Sequence, residues 1–526
     1  MAVNVKKEGV KLEHYWSKCV SAGRAKEGLR AAWQEQLRMA VKDCGFRYIR
    51  FHGLLHDDMC VYRVINGNEI YNFQYVDDLF DTLLDMGLRP VVELGFMPYD
   101  MADDNSDYRQ FWWRGNVNPP ADYDKWYELI FRLTKHFEER YGVDEVKEWY
   151  FEVWNEPNLH NGFWTGGKSK YLKLYEYAVK AIKSVNGDYR VGGPATSNYV
   201  PDDRFEGEFD DVTKHMTHKL ESLEDAEWNP VWIEDFFRFC EEKGLPVDFV
   251  SVHPYPTDFA LDGHGETSGR TRYSYSTTDD LRKIRKLVDE SSFRGAEIIL
   301  TEWSSSPTSR DNSHDYSPAA AYIVKANIES RGLVDALSYW AFTDIFEELG
   351  AGNKPFHGGF GMINYQGIKK PSYHAYRFLN ALGDTELECG DNYIVTRDSK
   401  TGGVVICAFN YESDTIKTAV PITNSPEAAE AVEAAGKRSS AKIDLEGLRP
   451  GAAFAVERVN AENGTAMGMY KQLGYPEHLV KSAAQLLKET AEHGALSIVC
   501  ADGSGELHIK LDMLPWEIVL IKEIVR

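Results

Sequence analysis

Between residues 15 and 345 one theme repeats eight times: a short apolar run ends in polar or aromatic residues, and a segment of helical period follows. The runs occupy 15–21, 48–53, 90–96, 149–155, 189–194, 247–255, 297–303 and 336–342. Unbroken apolar stretches such as Pro90-Val-Val-Glu-Leu-Gly-Phe96 suit parallel strands buried on both faces. Leu29, Trp33, Leu37, Ala40 and Cys44 form one helical stripe, and Tyr123, Trp126, Tyr127, Ile130, Thr134 and Phe137 another. A third, Tyr171, Leu174, Tyr175, Ala178 and Ile182, is expected to stop at Asn186-Gly187 in a left-handed C-cap. This alternation predicts an α/β fold, a (β/α)8 TIM barrel over 15–350. A doubly wound open sheet is the rival. It usually carries a Gly-rich phosphate turn after its first strand, and Ser21-Ala-Gly-Arg24 is no such turn.

Beyond residue 385 the period changes. Residues 393–397 and 404–410 flank Asp398-Ser-Lys-Thr-Gly-Gly403, which reads as a hairpin. Residues 506–511 and 516–521 read as two more strands around Pro515, and a helix from Pro476 to about Glu492 precedes them. The expectation is a β-sandwich-like accessory domain over 385–526, with residues 1–14 available to complete it. Residues 200–228 are polar and acidic, follow the fifth run, and read as a loop inserted on the barrel's active face.

The chain has 59 Lys and Arg against 82 Asp and Glu, a net charge of −23, so nucleic acid and anionic membrane surfaces are excluded as partners by repulsion. No apolar stretch reaches the roughly 18 residues that a membrane span needs. The first residues lack the apolar core of a secretory signal. The seven cysteines are odd in number and scattered without Cys-x-x-Cys spacing, as expected of free thiols in a reducing compartment. The expected location is therefore cytoplasmic, and the sequon Asn463-Gly464-Thr465 reads as a chance match. Self-association into a homo-oligomer is left open.

In a barrel the chemistry sits where strands meet the loops at their C-terminal ends. The fourth run ends in Trp154-Asn155-Glu156-Pro157 and the seventh in Leu300-Thr301-Glu302-Trp303. A lone glutamate there is more often an ion-pair partner or a helix cap. Two on opposed strands are what glycoside hydrolysis requires, one protonated and one ionised. Asn155 is placed to hydrogen-bond a sugar 2-hydroxyl, and Tyr255, ending the sixth run, to hold and ionise Glu302. His52 and His56 followed by Asp57-Asp58 have metal-like spacing, but on a loop that spacing fixes no geometry, and no metal or cofactor is expected. Three further sets have bland alternatives: Glu347-Glu348 as a solvated pair, His253-Pro254-Tyr255-Pro256 as a rigid turn, and Phe111-Trp112-Trp113 as core. Neither a P-loop, a dinucleotide fingerprint nor a nucleophile elbow is present.

These residues sit within longer stretches that resemble family 39 of the glycoside hydrolases, the family of β-xylosidases and α-L-iduronidases, in the clan of retaining barrel glycosidases. The matching stretches are Tyr48-Ile-Arg-Phe-His-Gly-Leu-Leu-His-Asp-Asp58, Val92-Glu-Leu-Gly-Phe-Met-Pro98, Phe151-Glu-Val-Trp-Asn-Glu-Pro-Asn-Leu159 and Val247-Asp-Phe-Val-Ser-Val-His253. Tyr339-Trp340, Phe346-Glu-Glu348 and Phe356-His-Gly-Gly-Phe-Gly361 continue the match, and Gln472-Leu-Gly-Tyr-Pro476 resembles the tail of the bacterial β-xylosidase branch.

The resemblance implies that Glu156 is the acid/base and Glu302 the nucleophile, with sugar contacts from His52, Asn155, His253, Tyr255, Trp340, Glu347 and Glu348. It implies an exo-acting enzyme that removes xylose from xylo-oligosaccharides or aryl xylosides. Trp303, where the family's xylosidases often have Tyr, and the 200–228 insertion depart from the pattern and leave the aglycone preference open. Bulky Trp340, Phe342 and Phe346 are expected to fill the space that a glucose hydroxymethyl would need. A uronate-cleaving enzyme of the same scaffold would need a cation, where Glu347-Glu348 supply the opposite charge. An idle sugar-binding protein would have no need of both carboxylates.

Overall fold

The structure, a computed structural model, describes residues 2–104, 109–217, 224–261, 267–411 and 422–525. Eight parallel strands close into a barrel in chain order: β1 (Cys19–Arg24), β2 (Tyr48–His52), β3 (Arg89–Glu93), β4 (Tyr150–Glu152), β5 (Arg190–Ser197), β6 (Phe249–His253), β7 (Glu297–Trp303) and β8 (Ala336–Tyr339). Helices follow them in turn: α1 (Ala31–Cys44), α2 (Gln74–Asp85), α3 (Tyr123–Tyr141), α4 (Gly167–Val185), α5 (Ile233–Lys243), α6 (Ser276–Glu290), α7 (Ser317–Glu329) and α8 (Pro371–Ala381). The doubly wound rival is excluded, because β8 pairs with β1 and leaves no open edge.

The stripes explain the helices. Trp33, Leu37, Ala40 and Cys44 of α1 and Trp126, Ile130, Thr134 and Phe137 of α3 are all buried against the barrel, so each helix lies with its apolar face inward. Two expectations fail locally. Tyr15–Ser17 forms a 3-10 turn and β1 starts only at Cys19, because Tyr15 and Trp16 pack edge to face at 5.0 Å instead of extending. The end of α4 uses no left-handed cap: Asn186 is extended at φ −154°. Left-handed glycines close α1 and α5 instead, Gly45 at φ 72° and Gly244 at φ 63°.

The C-terminal part is two packed sheets. One has seven strands, ordered Val10–Lys11, β9 (Thr385–Cys389), β10 (Tyr393–Arg397), β11 (Val404–Phe409), Ile518–Glu523, Ala453–Val459 and Ala495–Cys500. The other pairs Val3–Asn4, Ser439–Glu446 and Leu507–Met513. Leu507–Met513 alternates buried and exposed residues along its length, and its inward Leu507, Ile509 and Leu511 share a core with Ile406, Phe454 and Ile521 of the larger sheet. The strands on either side of Pro515 thus enter different sheets. The helix expected from 476 to 492 is shorter, Lys481–Thr490.

Candidate active site

The barrel interior is built around one cation. Arg50, on β2, is fully buried. Its Nε donates to Glu152 at 2.8 Å, its two terminal nitrogens donate to Asn155 Oδ1 at 2.7 Å and Glu302 Oε1 at 2.5 Å, and Glu93 lies 2.9 Å away. Glu93 and Glu152 are register partners on β3 and β4, so the pleat turns both carboxylates to the same side. A buried guanidinium is tolerated only when its donors are taken, and these strand ends take them.

Glu302 lies on β7 and also accepts from the Tyr255 hydroxyl at 3.2 Å. Glu156 follows β4 in a turn where Trp154 (φ 73°) and Glu156 (φ 46°) both occupy the left-handed region. That backbone costs about 1–3 kcal/mol per residue and is held by Glu156 N–H donating to Ala195 on β5 at 2.9 Å. Carboxylate oxygens of Glu156 and Glu302, with one His253 ring nitrogen, all lie within 4.8 Å of one another. Burial and the neighbouring Glu302 hold the Glu156 carboxyl well above the usual carboxylate range. Burial also raises Glu302, but the Arg50 guanidinium and His52 oppose that rise. Within the pair the proton therefore belongs to Glu156 and the charge to Glu302.

The two carboxyls open into a cavity of about 520 Å³, which His52, Tyr255, Trp340, Glu348 and Phe360 also line. His52 is fixed by Glu93 at 2.6 Å and packs against Trp340 at 4.7 Å. Burial and the charges of Glu302 and Glu27 hold the Glu348 carboxyl well above the ordinary carboxylate range. The described part of the 200–228 segment reaches this cavity with Asp210, Val212 and His215, and Phe111 and Leu349 line it too; residues 218–223 lie outside the described residues.

Comparison with known proteins agrees with this architecture. The model of the family described as glycosyl hydrolases family 39 matches residues 1–506. A β-xylosidase of Caldicellulosiruptor saccharolyticus is 34% identical over 99% of this chain and 97% of its own length, and one of Geobacillus stearothermophilus is 34% identical over 99% and 95%. The solved structure of a monomeric β-xylosidase from Caulobacter crescentus CB15 superposes with a TM-score of 0.84 at 32% identity, covering 99% of this chain and 98% of that one. The chain belongs to glycosyl hydrolases family 39.

Against the residues expected from sequence, the family 39 site differs in three places. His253 meets no open cavity: it is fully buried, with Nδ1 3.0 Å from Glu156 and Nε2 2.8 Å from Thr301. Glu347 is drawn away from the cavity by Arg24 at 2.7 Å and Arg30 at 3.1 Å, so of the Glu347-Glu348 pair only Glu348 lines it. Phe342 faces outward against Trp33 of α1 at 5.0 Å, and the wall beside Trp340 is Phe360. Asn155 gives its oxygen to Arg50 and keeps a buried Nδ2 without a partner among the described residues. Phe111 lines the cavity, Trp113 packs on Phe96 at 5.5 Å as core, and Trp112 is exposed. His56 caps the turn at Asp57–Met59 and bonds Asp58 at 2.8 Å, which accounts for the metal-like spacing.

Sequence reasoning missed Arg50, Glu93, Glu152, His160 and Phe163. The signal for the first three was present, because a charge inside an apolar parallel strand must find a buried partner. Replacing Arg50 by Met should strand three buried carboxylates and cost about 3–5 kcal/mol of stability, read as a lowered midpoint of chemical unfolding. An unchanged midpoint would remove the cluster's central role.

Proposed function

We propose that the chain is a retaining β-xylosidase acting from the non-reducing end, with Glu156 as acid/base and Glu302 as nucleophile. The observation that carries this is the short separation of the two carboxyls, with one of them alone bonded to a buried cation. Retaining glycosidases hold their carboxyls about 5–5.5 Å apart, whereas inverting ones leave room for a water at about 6.5–9.5 Å. Glu302 attacks the anomeric carbon as Glu156 gives its proton to the departing oxygen, and a glycosyl ester on Glu302 forms. Glu156, now a carboxylate, takes a proton from water as that water attacks the same carbon and releases Glu302. Asn155 Nδ2 is the free donor for a sugar 2-hydroxyl, oriented because Arg50 holds its oxygen.

A neutral pentose fits the lining. Among the described residues the cavity wall holds Glu156, Asp210, Glu302 and Glu348 but neither Lys nor Arg, so a uronate would find no lysine or arginine to pair with. This weighs against iduronate. All seven cysteines are unpaired, which supports a reducing, cytoplasmic setting.

Two outcomes are expected. Glu302→Ala should abolish turnover of all glycosides, whereas Glu156→Ala should retain its first step for an activated phenol and regain turnover with azide. An inverted azide product from the Glu156 variant would reverse the roles. Trp340 and Phe360, filling the wall, should set kcat/KM for a β-xyloside at least roughly 100-fold above the matching β-glucoside. Equal rates on the two nitrophenyl glycosides would overturn the sugar assignment.

A further inference from the structure

The contacts of His253 form a directed chain. Thr301 Oγ1 donates its single proton to Glu152 Oε1 at 2.7 Å, and Glu152 is anchored through its other oxygen by Arg50 at 2.8 Å. The Thr301 oxygen can then only accept from its other neighbour, His253 Nε2 at 2.8 Å, so Nε2 carries hydrogen. A neutral imidazole has one N–H, which leaves Nδ1 a bare lone pair 3.0 Å from Glu156 Oε1. That contact is a hydrogen bond only while Glu156 is protonated.

We infer that Thr301 is a positioning residue: by fixing the His253 tautomer it makes Nδ1 an acceptor that keeps the acid's proton on Glu156. This rests on Glu156 being the acid/base. Burial, with the charges of Arg50 and His52, keeps His253 neutral, so the imidazolium that would reverse the contact is disfavoured. The other groups facing Glu156 and His253 act in both directions. Glu302 and Glu93 favour the protonated acid, while Arg50 and the Ser197 hydroxyl favour its anion. Tyr255 and Glu348 also face the pair, and the Glu302 carboxylate stands 3.9 Å from Nδ1, too far to accept from it.

The chain serves both half-reactions. In the first, the Glu156 O–H leaves Nδ1 and turns to the glycosidic oxygen, the O–H bond breaks as its proton passes to that oxygen, the C1–O bond breaks and the Glu302–C1 bond forms. Glu156 is then a carboxylate facing a lone pair, an arrangement that raises its basicity. It takes a proton from the attacking water as the C1–OH bond forms and the Glu302–C1 bond breaks, which restores the original hydrogen bond.

The test is the pH dependence of kcat/KM on an unactivated xyloside. Thr301→Val removes the hydroxyl at nearly constant shape. His253 is then free to carry its proton on Nδ1 and donate to the Glu156 anion. The basic limb should move to lower pH by about one unit, a tenfold loss on the alkaline side, with the acidic limb in place. Thr301→Ser, which retains the hydroxyl, should restore the wild-type profile. A Val profile that overlays the wild type, a Ser profile that follows Val, or both limbs moving together would overturn the inference. Should the Val variant not fold, 15N-histidine NMR of the unaltered protein decides: Nε2–H at His253 is required, and Nδ1–H refutes it. Failure of the underlying reading looks different, since Glu156→Ala would then slow activated and unactivated xylosides equally.

Discussion

The buried guanidinium of Arg50 is the constraint on which the rest of the site depends. Removing a cation from water costs several kcal/mol, recovered only if its donors meet well-placed acceptors. Those acceptors come from the ends of three other strands: Glu93 on β3, Glu152 on β4 and Glu302 on β7, with Asn155 in the turn after β4. The charge cluster therefore ties strands distant in sequence to one point inside the barrel. It also distributes protons. Glu302 bonds the cation directly, whereas Glu156, with a carboxylate oxygen within 4.8 Å of one on Glu302, does not, and its carboxyl is held well above the usual carboxylate range. Asymmetry between two identical side chains arises from which of them Arg50 reaches.

Around that point the walls are set by packing. His52 is clamped between Glu93 and the rings of Phe96, Phe111 and Trp340, so a group that faces the cavity has little rotamer freedom left. The strained backbone at Trp154 and Glu156 is stabilised by β5, whose Ala195 carbonyl accepts from Glu156. The position of Glu156 is thus a property of two neighbouring strands, while Glu302 sits on β7 itself, where the pairing with β8 shifts register between Leu300 and Trp303.

Much of this was legible in the sequence because it follows from periodicity. The eight runs mark the barrel strands to within a few residues, and the strand-end rule leads to Glu156 and Glu302 without further information. What sequence could not supply was direction and competition. His253 and Glu347 have the right residue type and the right neighbourhood. Thr301 and Glu156 nevertheless occupy both His253 nitrogens, and two arginines far away in sequence draw Glu347 aside. Similarly, Tyr15 and Trp16 have strand-forming side chains but pack on each other in a turn. Local composition cannot decide between a ligand and a nearer protein partner; only the closed barrel does.

The central claim is that Glu302, ionised by Arg50, forms the covalent bond while Glu156 handles the proton. The most direct measurement is to trap the intermediate with a 2-deoxy-2-fluoro-β-xyloside bearing a good leaving group, then digest the protein and locate the added mass. The account predicts a single fluoroxylosyl ester on the peptide containing Glu302, with slow reactivation as it hydrolyses. An adduct on Glu156, or release of inverted sugar with no adduct at all, would contradict it.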